Sequence, residues 1–145
     1  MHVYADTSVM FAMHYVKDPF SLPSLRRRAR TTPSFLYPPW LRFEVRHALT
    51  MHRADQDGEA AWRALLASER HFVGVRENWL TVLQQAEELS QRHGRNIFCR
   101  GVDVLHVASA MRLDADEFWT GDESQASLAK AAGLTVVDFS DETAG

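Results

Sequence analysis

The 145 residues hold one cysteine, Cys99, so no internal disulfide can form and a zinc site built from several thiolates is excluded. The seven histidines are scattered, with no i, i+4 pair beside a carboxylate, which removes the usual helical zinc site as well. Glycine and proline are sparse, at seven and five, and no repeat, low-complexity tract or Gly/Ser linker divides the chain. Residues 1–145 therefore read as a single domain, long enough to bury its own core. No apolar run approaches the roughly 20 residues needed to cross a bilayer. Asp6 interrupts the N-terminal apolar stretch and no basic region precedes it, so the sequence predicts neither a secretory leader nor a membrane anchor, and a cytoplasmic setting.

What is present is an ordinary globular composition, 46% hydrophobic and 24% charged. The net charge of −3 is unevenly spread. Residues 1–53 carry eight Lys and Arg (Lys17, Arg26, Arg27, Arg28, Arg30, Arg42, Arg46, Arg53) against Asp6, Asp18 and Glu44, or +5, which leaves −8 for the remainder. A basic half suits a phosphate backbone. The acidic total argues against a protein that merely coats DNA, but not against a nuclease, whose carboxylates must hold a cation.

Strand and helix signals alternate. Strands are predicted at 2–5, 35–37, 71–75, 117–120 and 134–137. Helices are predicted from a Thr7 or Ser8 cap to about Lys17, ended by Asp18-Pro19, and over 40–53, 58–68, 79–93, 103–113 and 123–132, with Gly133 just beyond. Residues 20–33 read as a basic connection with a helical turn over 26–30, and 96–100 as an extended link. In 79–93 the apolar positions are Leu80, Leu83 and Leu89. The pattern predicts an α/β fold, a three-layer α/β/α sandwich around a mainly parallel sheet. In such sheets ligands bind beyond the carboxyl ends of the strands.

Four acids stand out against this frame. Asp6 ends the first strand and is followed by Thr7-Ser8. Glu44 shares a helical stripe with Leu41, Val45, Ala48, Leu49 and His52, where an unpaired carboxylate is expensive. Asp103 opens the helix that runs through Val104-Leu105-His106-Val107-Ala108. Asp122 follows the strand that ends in Trp119-Thr120-Gly121. Carboxylates gathered together resist ionisation unless a cation sits between them, and hard oxygen donors select Mg²⁺ or Mn²⁺. Phosphodiester hydrolysis is the chemistry such a set serves best.

Each acid also has a plainer reading. Asp6 and Asp103 suit helix starts, Asp122 a turn after Gly121, and Glu44 an ion pair with Arg42 or Arg100. Arg26, Arg27, Arg28 and Arg30 are candidates for RNA phosphate contacts or simply a solvated face. Arg100 could orient a phosphate near Asp103. Asp114, Asp116 and Glu117 read as a solvated loop, and His106 as a packed, hydrogen-bonded histidine rather than a base. Trp40, Trp62, Trp79 and Trp119 read as core, with one or two open to burial by a partner.

The ordered segments 1–8, 42–45, 99–110 and 115–126 together resemble the PIN domain, most closely in the manner of the VapC toxins of bacterial toxin–antitoxin pairs, over nearly the whole chain. That resemblance implies a Mg²⁺- or Mn²⁺-dependent endoribonuclease, a cognate VapB-like antitoxin, and usually a homodimer. It carries the metal-binding and catalytic roles to Asp6, Glu44, Asp103 and Asp122, and supporting roles to Thr7, Ser8 and Thr120, with Arg100 beside them. Gly121 and Val102 depart from the residues more usual at their positions, and Glu123 could supplement or replace Asp122 as a ligand. A non-catalytic RNA- or protein-binding domain of the same fold is the alternative, but no acid is missing. An aspartate phosphotransferase would want a second Asp where Ser8 stands, and a receiver domain a lysine after a late strand, whereas Lys130 lies within a helix.

Overall fold

A computed structural model describes residues 1–141. Five strands, β1 (His2–Ala5), β2 (Ser34–Tyr37), β3 (Val73–Gly74), β4 (Glu117–Thr120) and β5 (Val136–Asp138), form an all-parallel sheet in the order β3-β2-β1-β4-β5. Helices flank it in the three-layer arrangement that the alternating pattern predicts. Val3, Tyr4 and Ala5 are all fully buried, as a strand covered on both faces must be. β1 pairs with β2 through Val3 and Phe35, and with β4 through Tyr4 and Phe118.

Chain order runs outward from β1 to β2 and β3, then jumps back across β1 to β4 and β5. The strand order therefore reverses between β1 and β4. Two connections leave the sheet there in opposite directions and open a crevice at the carboxyl ends. Asp6 is the residue after β1, and its N–H still reaches Trp119 O in β4 at 3.0 Å. Asp122 lies two residues past the end of β4.

The helices are α1 (Thr7–Ala12), α2 (Ser21–Thr31), α3 (Pro39–Thr50), α4 (Gln56–Ser68), α5 (Trp79–His93), α6 (Gly101–Arg112) and α7 (Glu123–Ala131). Several differ from the sequence reading. α1 is capped by Asp6, not by Thr7 or Ser8, and stops at Ala12 rather than near Lys17. The ring of His14 lies 2.7 Å from Met10 O, the carbonyl that the next helical N–H would have used, and the His14 N–H turns to Phe11 O at 3.0 Å instead.

The expected basic connection is instead the eleven-residue α2. Its inward face carries Ser21 and Ser24, whose small side chains leave no apolar stripe to read. Ser24 Oγ donates to Phe20 O at 2.7 Å, and Pro23 falls in the first turn, where a missing N–H is harmless. α6 begins at Gly101, so Asp103 sits within its first turn and accepts from the Arg100 N–H at 3.3 Å.

On α5 the buried face is Val82 and Leu89, while Leu80 and Leu83 are 65% and 46% exposed. The predicted strand at 71–75 splits into a 3₁₀ turn, Glu69–His71, and the two-residue β3. Trp119 is fully buried but Trp79 is 44% exposed, so the tryptophans are not uniformly core. Glu117 is not in a solvated loop: it lies in β4, pairs with Arg27 at 3.1 Å and accepts from the Trp119 indole at 2.7 Å.

Gly58 marks the closest approach between α4 and the turn after α3. A Cβ there would stand 1.6 Å from His52 O. Gly→Ala inside an exposed helix is normally favourable, but here the added carbon meets backbone. Gly58→Ala is expected to destabilise the fold by about 2 kcal/mol, read as a lower urea midpoint at unchanged slope.

Candidate active site

Asp6, Glu44, Asp103 and Asp122 all line one cleft of about 500 Å³ at the switch point. Thr7, Ser8 and Arg100 share its wall, as do Asp18, His106 and an apolar side made of Phe11, Pro19, Phe20, Ala48 and Val102. Four separate elements deliver the acids, which is why no short motif contains them.

Asp6 is only 4% exposed. Its Oδ1 accepts from Ser8 Oγ at 2.6 Å and from the Val9 N–H at 3.0 Å, and its Oδ2 accepts from Thr120 Oγ1 at 2.6 Å. Burial pushes its pKa up, while the His106 charge and these hydrogen bonds pull the other way without overcoming it. The same hydroxyls tie the neighbouring loop: Gly121 N–H donates to Ser8 Oγ at 3.1 Å, and Asp122 N–H to Thr120 Oγ1 at 3.0 Å. A Cβ at Gly121 would come within 2.7 Å of the Phe20 ring, so the small residue at this position is what lets the loop pack.

Glu44 occupies the edge of the apolar stripe of α3, with Leu41, Val45 and Leu49 inward and Ala48 and His52 beside it in the cleft. Its partner is neither Arg42, which lies 3.5 Å from Glu69, nor Arg100, which lies 3.7 Å from Asp103. It is His106, whose Nε2 stands 2.8 Å from Oε1. Thr7 Oγ1 donates to the same oxygen at 2.6 Å. Burial raises the Glu44 pKa, but the His106 and Thr7 hydrogen bonds and the His106 charge outweigh it, and the carboxyl ends below its ordinary value.

Asp122 Oδ1 caps α7 by accepting from Gln125 N–H at 2.8 Å. Glu123 is exposed and does not line the cleft, so among the adjacent pair it is Asp122 that faces the site. Gln125, fully buried, sets Oε1 2.8 Å from Thr120 Oγ1, as a second acceptor for the proton shared with Asp6, and donates through Nε2 to Asp103 O at 3.0 Å, joining the Asp122 helix to the Asp103 helix. Cys99 is pushed up to about 11 by burial and by Asp103 and Asp122, so it remains a thiol and is no nucleophile.

The donor set is all hard oxygen, which fits Mg²⁺ or Mn²⁺. Three of the acids use one oxygen for structural bonds and leave the other open: Glu44 Oε2, Asp103 Oδ1 and Asp122 Oδ2 have no hydrogen-bond partner among the described residues, whereas Asp6 accepts through both oxygens and keeps a lone pair on Oδ2. Among the described residues no three His, Cys, Asp or Glu side chains stand close enough together to hold one metal ion. Mg²⁺ commonly takes only one or two carboxylates and completes its shell with water and phosphate, so the spacing is compatible with that ion.

Sequence reasoning missed Asp18, Gln125 and the partner role of His106. Asp18 read as a helix stop. Its Oδ1 instead orders the turn into α2 by accepting from the Phe20 N–H at 2.8 Å. Only the three-residue spacing of Asp103 and His106, adjacent on a helix surface, hinted at the last.

Residues 3–131 match the family model described as the PIN domain. The chain belongs to the PIN domain family. Its fold is similar to that of three solved structures. VapBC2 from Rickettsia felis bound to a DNA fragment from their promoter aligns with a TM-score of 0.66 at 11% identity, covering 95% of this chain and 98% of that one. Mycobacterium tuberculosis VapC20, a sarcin–ricin-loop-cleaving toxin, aligns at 0.63 with 20% identity, covering 92% and 96%. VapBC-1 from nontypeable Haemophilus influenzae aligns at 0.63 with 13% identity, covering 97% and 100%. No curated protein sequence matches the chain significantly.

The Asp6 hydrogen bonds define a stability test. In Asp6→Asn the amide oxygen can keep the Ser8 and Val9 bonds, and the NH₂ can face Thr120 Oγ1, which turns its own proton to Gln125. A raised folded-state pKa means that wild-type stability falls as pH climbs from the ordinary carboxylate range through the raised one, because the folded state holds the proton longer. Thermal denaturation in EDTA should therefore find Asp6→Asn no less stable than wild type at neutral pH, with its relative advantage growing as pH rises through that window. Asp6→Ala should instead lose about 1–2 kcal/mol with the helix cap.

Proposed function

We propose that this PIN domain is a metal-dependent endoribonuclease that hydrolyses RNA phosphodiester bonds as the toxin of a toxin–antitoxin pair, with Asp6, Glu44, Asp103 and Asp122 as its metal-binding and catalytic acids. The observation that carries this reading is their arrangement: four carboxylates from four elements line a single cleft, Glu44, Asp103 and Asp122 each fixed through one oxygen and open at the other, and Asp6 held through both. PIN-domain nucleases generally use divalent metal ions. The likeness to a sarcin–ricin-loop-cleaving toxin and to two VapBC structures supports RNA as substrate and a VapB-like antitoxin as partner. A homodimer belongs to the same proposal.

Bound at these acids, Mg²⁺ or Mn²⁺ would supply Lewis acidity and offset phosphate charge. The chain's own groups do the rest. Glu44, held below the ordinary carboxylate pKa, is anionic at neutral pH and can take a proton from the attacking water at Oε2. Arg100, exposed at the rim, can orient the phosphate. The new P–O bond forms to water as the bond to the leaving oxygen breaks. His106 is not free to act as base, since both its ring nitrogens already have partners.

The four arginines of α2 divide. Arg27 pairs with Glu117, and Arg28 lies 5.8 Å over the Phe35 ring, so both serve the fold. Arg26 and Arg30 are exposed and are the pair free to meet phosphate. The spacing of the acids favours one other reading, a binding module that keeps the fold without catalysis.

Purified chain, free of any copurifying antitoxin, is expected to cleave RNA with Mg²⁺ or Mn²⁺ and to stop in EDTA. Asp6→Asn and Glu44→Gln should each reduce the rate by at least about 100-fold while remaining folded. Cleavage that survives either substitution would sink the site assignment, and RNA binding without metal binding or cleavage would establish the binding module. In filter binding, Arg26→Ala with Arg30→Ala should weaken RNA affinity and flatten its dependence on log salt by about one to two phosphate contacts, whereas Arg27→Ala should show chiefly in melting temperature.

A further inference from the structure

Glu44 is a long, mobile side chain asked to present one particular oxygen to the cleft. Left to itself such a chain samples many rotamers. Here it does not hang free. His106 Nε2 at 2.8 Å and Thr7 Oγ1 at 2.6 Å both engage Oε1 and leave Oε2 toward the cleft. The histidine ring is itself immobilised. It is 2% exposed, its Nδ1 lies 3.0 Å from the Tyr4 hydroxyl, and its face packs on Trp40 at 4.5 Å between centroids. Tyr4 is held in turn at the centre of the sheet, fully buried and stacked on Phe118 at 5.8 Å. A rigid path thus runs from the middle of β1, through one imidazole, to one carboxylate oxygen.

We propose that His106 is a positioning residue: it never touches substrate, but it sets the orientation of Glu44 for metal and water, and the Tyr4 hydroxyl sets the tautomer and tilt of the ring that does so. Partners standing behind a ligand in this way are generally worth 10–100-fold in metal affinity or activity. This inference rests on the nuclease reading of the cleft, in which Glu44 acts on the reacting groups.

The test compares His106→Leu, His106→Gln, His106→Asn and Tyr4→Phe with wild type. The readouts are Mn²⁺ affinity by calorimetry, kcat and KM for RNA, and melting temperature. Leu fills the space without a donor. Gln carries its amide nitrogen about as far out as Nε2, whereas Asn carries it only as far as Nδ1. His106→Leu and His106→Asn should bind Mn²⁺ about 10–100-fold more weakly and lose kcat by a similar factor with KM little changed. His106→Gln should recover to within about fivefold of wild type, and Tyr4→Phe should fall between.

Equal behaviour of the Leu and Gln variants, whether both intact or both impaired, would overturn the proposal, because packing alone would then account for the residue. Should the Leu variant fail to fold, the contrast between Gln and Asn and the Tyr4→Phe value still decide it. Wild-type protein that neither binds Mn²⁺ nor cleaves RNA overturns the nuclease reading and this one with it. Active wild type with a fully active His106→Leu overturns this one alone.

Discussion

The hydroxyl of Thr120 sits where β4 ends and is itself completely buried, within reach of Asp6 Oδ2, Gln125 Oε1 and the Asp122 N–H. One proton and two lone pairs serve three partners, so the group can donate to only one oxygen at a time. Around this knot the ends of β1 and β4, the first turn of α7 and, through Gln125, the backbone of Asp103 are brought into register. A buried carboxylate such as Asp6 is tolerable because the hydroxyls of Ser8 and Thr120 and the Val9 N–H replace the water it lost.

The parallel sheet makes that knot reachable. Reversal of strand order between β1 and β4 leaves a crevice at their carboxyl ends, and residues that follow the two central strands fall into it without any loop being built for the purpose. α3 and α6 then lean Glu44 and Asp103 in from the sides. Two of the cleft acids have opposite electrostatic fates. Asp6 is raised by burial, and Glu44 is lowered because a histidine and a threonine compensate its burial. Environments that push two neighbouring carboxyls apart are a common mark of acid–base chemistry.

Charge in the first third of the chain serves two purposes that composition alone merges. Arg27, Arg46 and Arg53 are tied to Glu117, Glu69 and Glu59, and Arg28 lies against an aromatic ring. The excess of positive charge over residues 1–53 is therefore largely structural; among the described residues of that segment, Arg26 and Arg30 on α2 are the exposed remainder open to a polyanion, and Arg100 at the cleft rim adds to them from outside it.

The sequence by itself determined the architecture and pointed to four acids that the fold brings to one cleft. Alternating strand and helix signals allow little but a parallel sheet between helical layers, and an acid directly after a buried strand, or on an apolar helix stripe, is costly enough to be noticed in one dimension. It could not determine what depends on which faces meet. α2 was hidden because its inner face is serine. The exposed leucines of α5 looked like core because spacing says which residues share a face and not which face is covered. Asp18, Gln125 and His106 became part of the site only when distant segments packed. The bonds that matter join residues separated by as many as 114 positions, and no local pattern encodes a hydrogen bond between Thr120 and Asp6. Local chemistry singled out the acids, and tertiary packing chose their partners and aim.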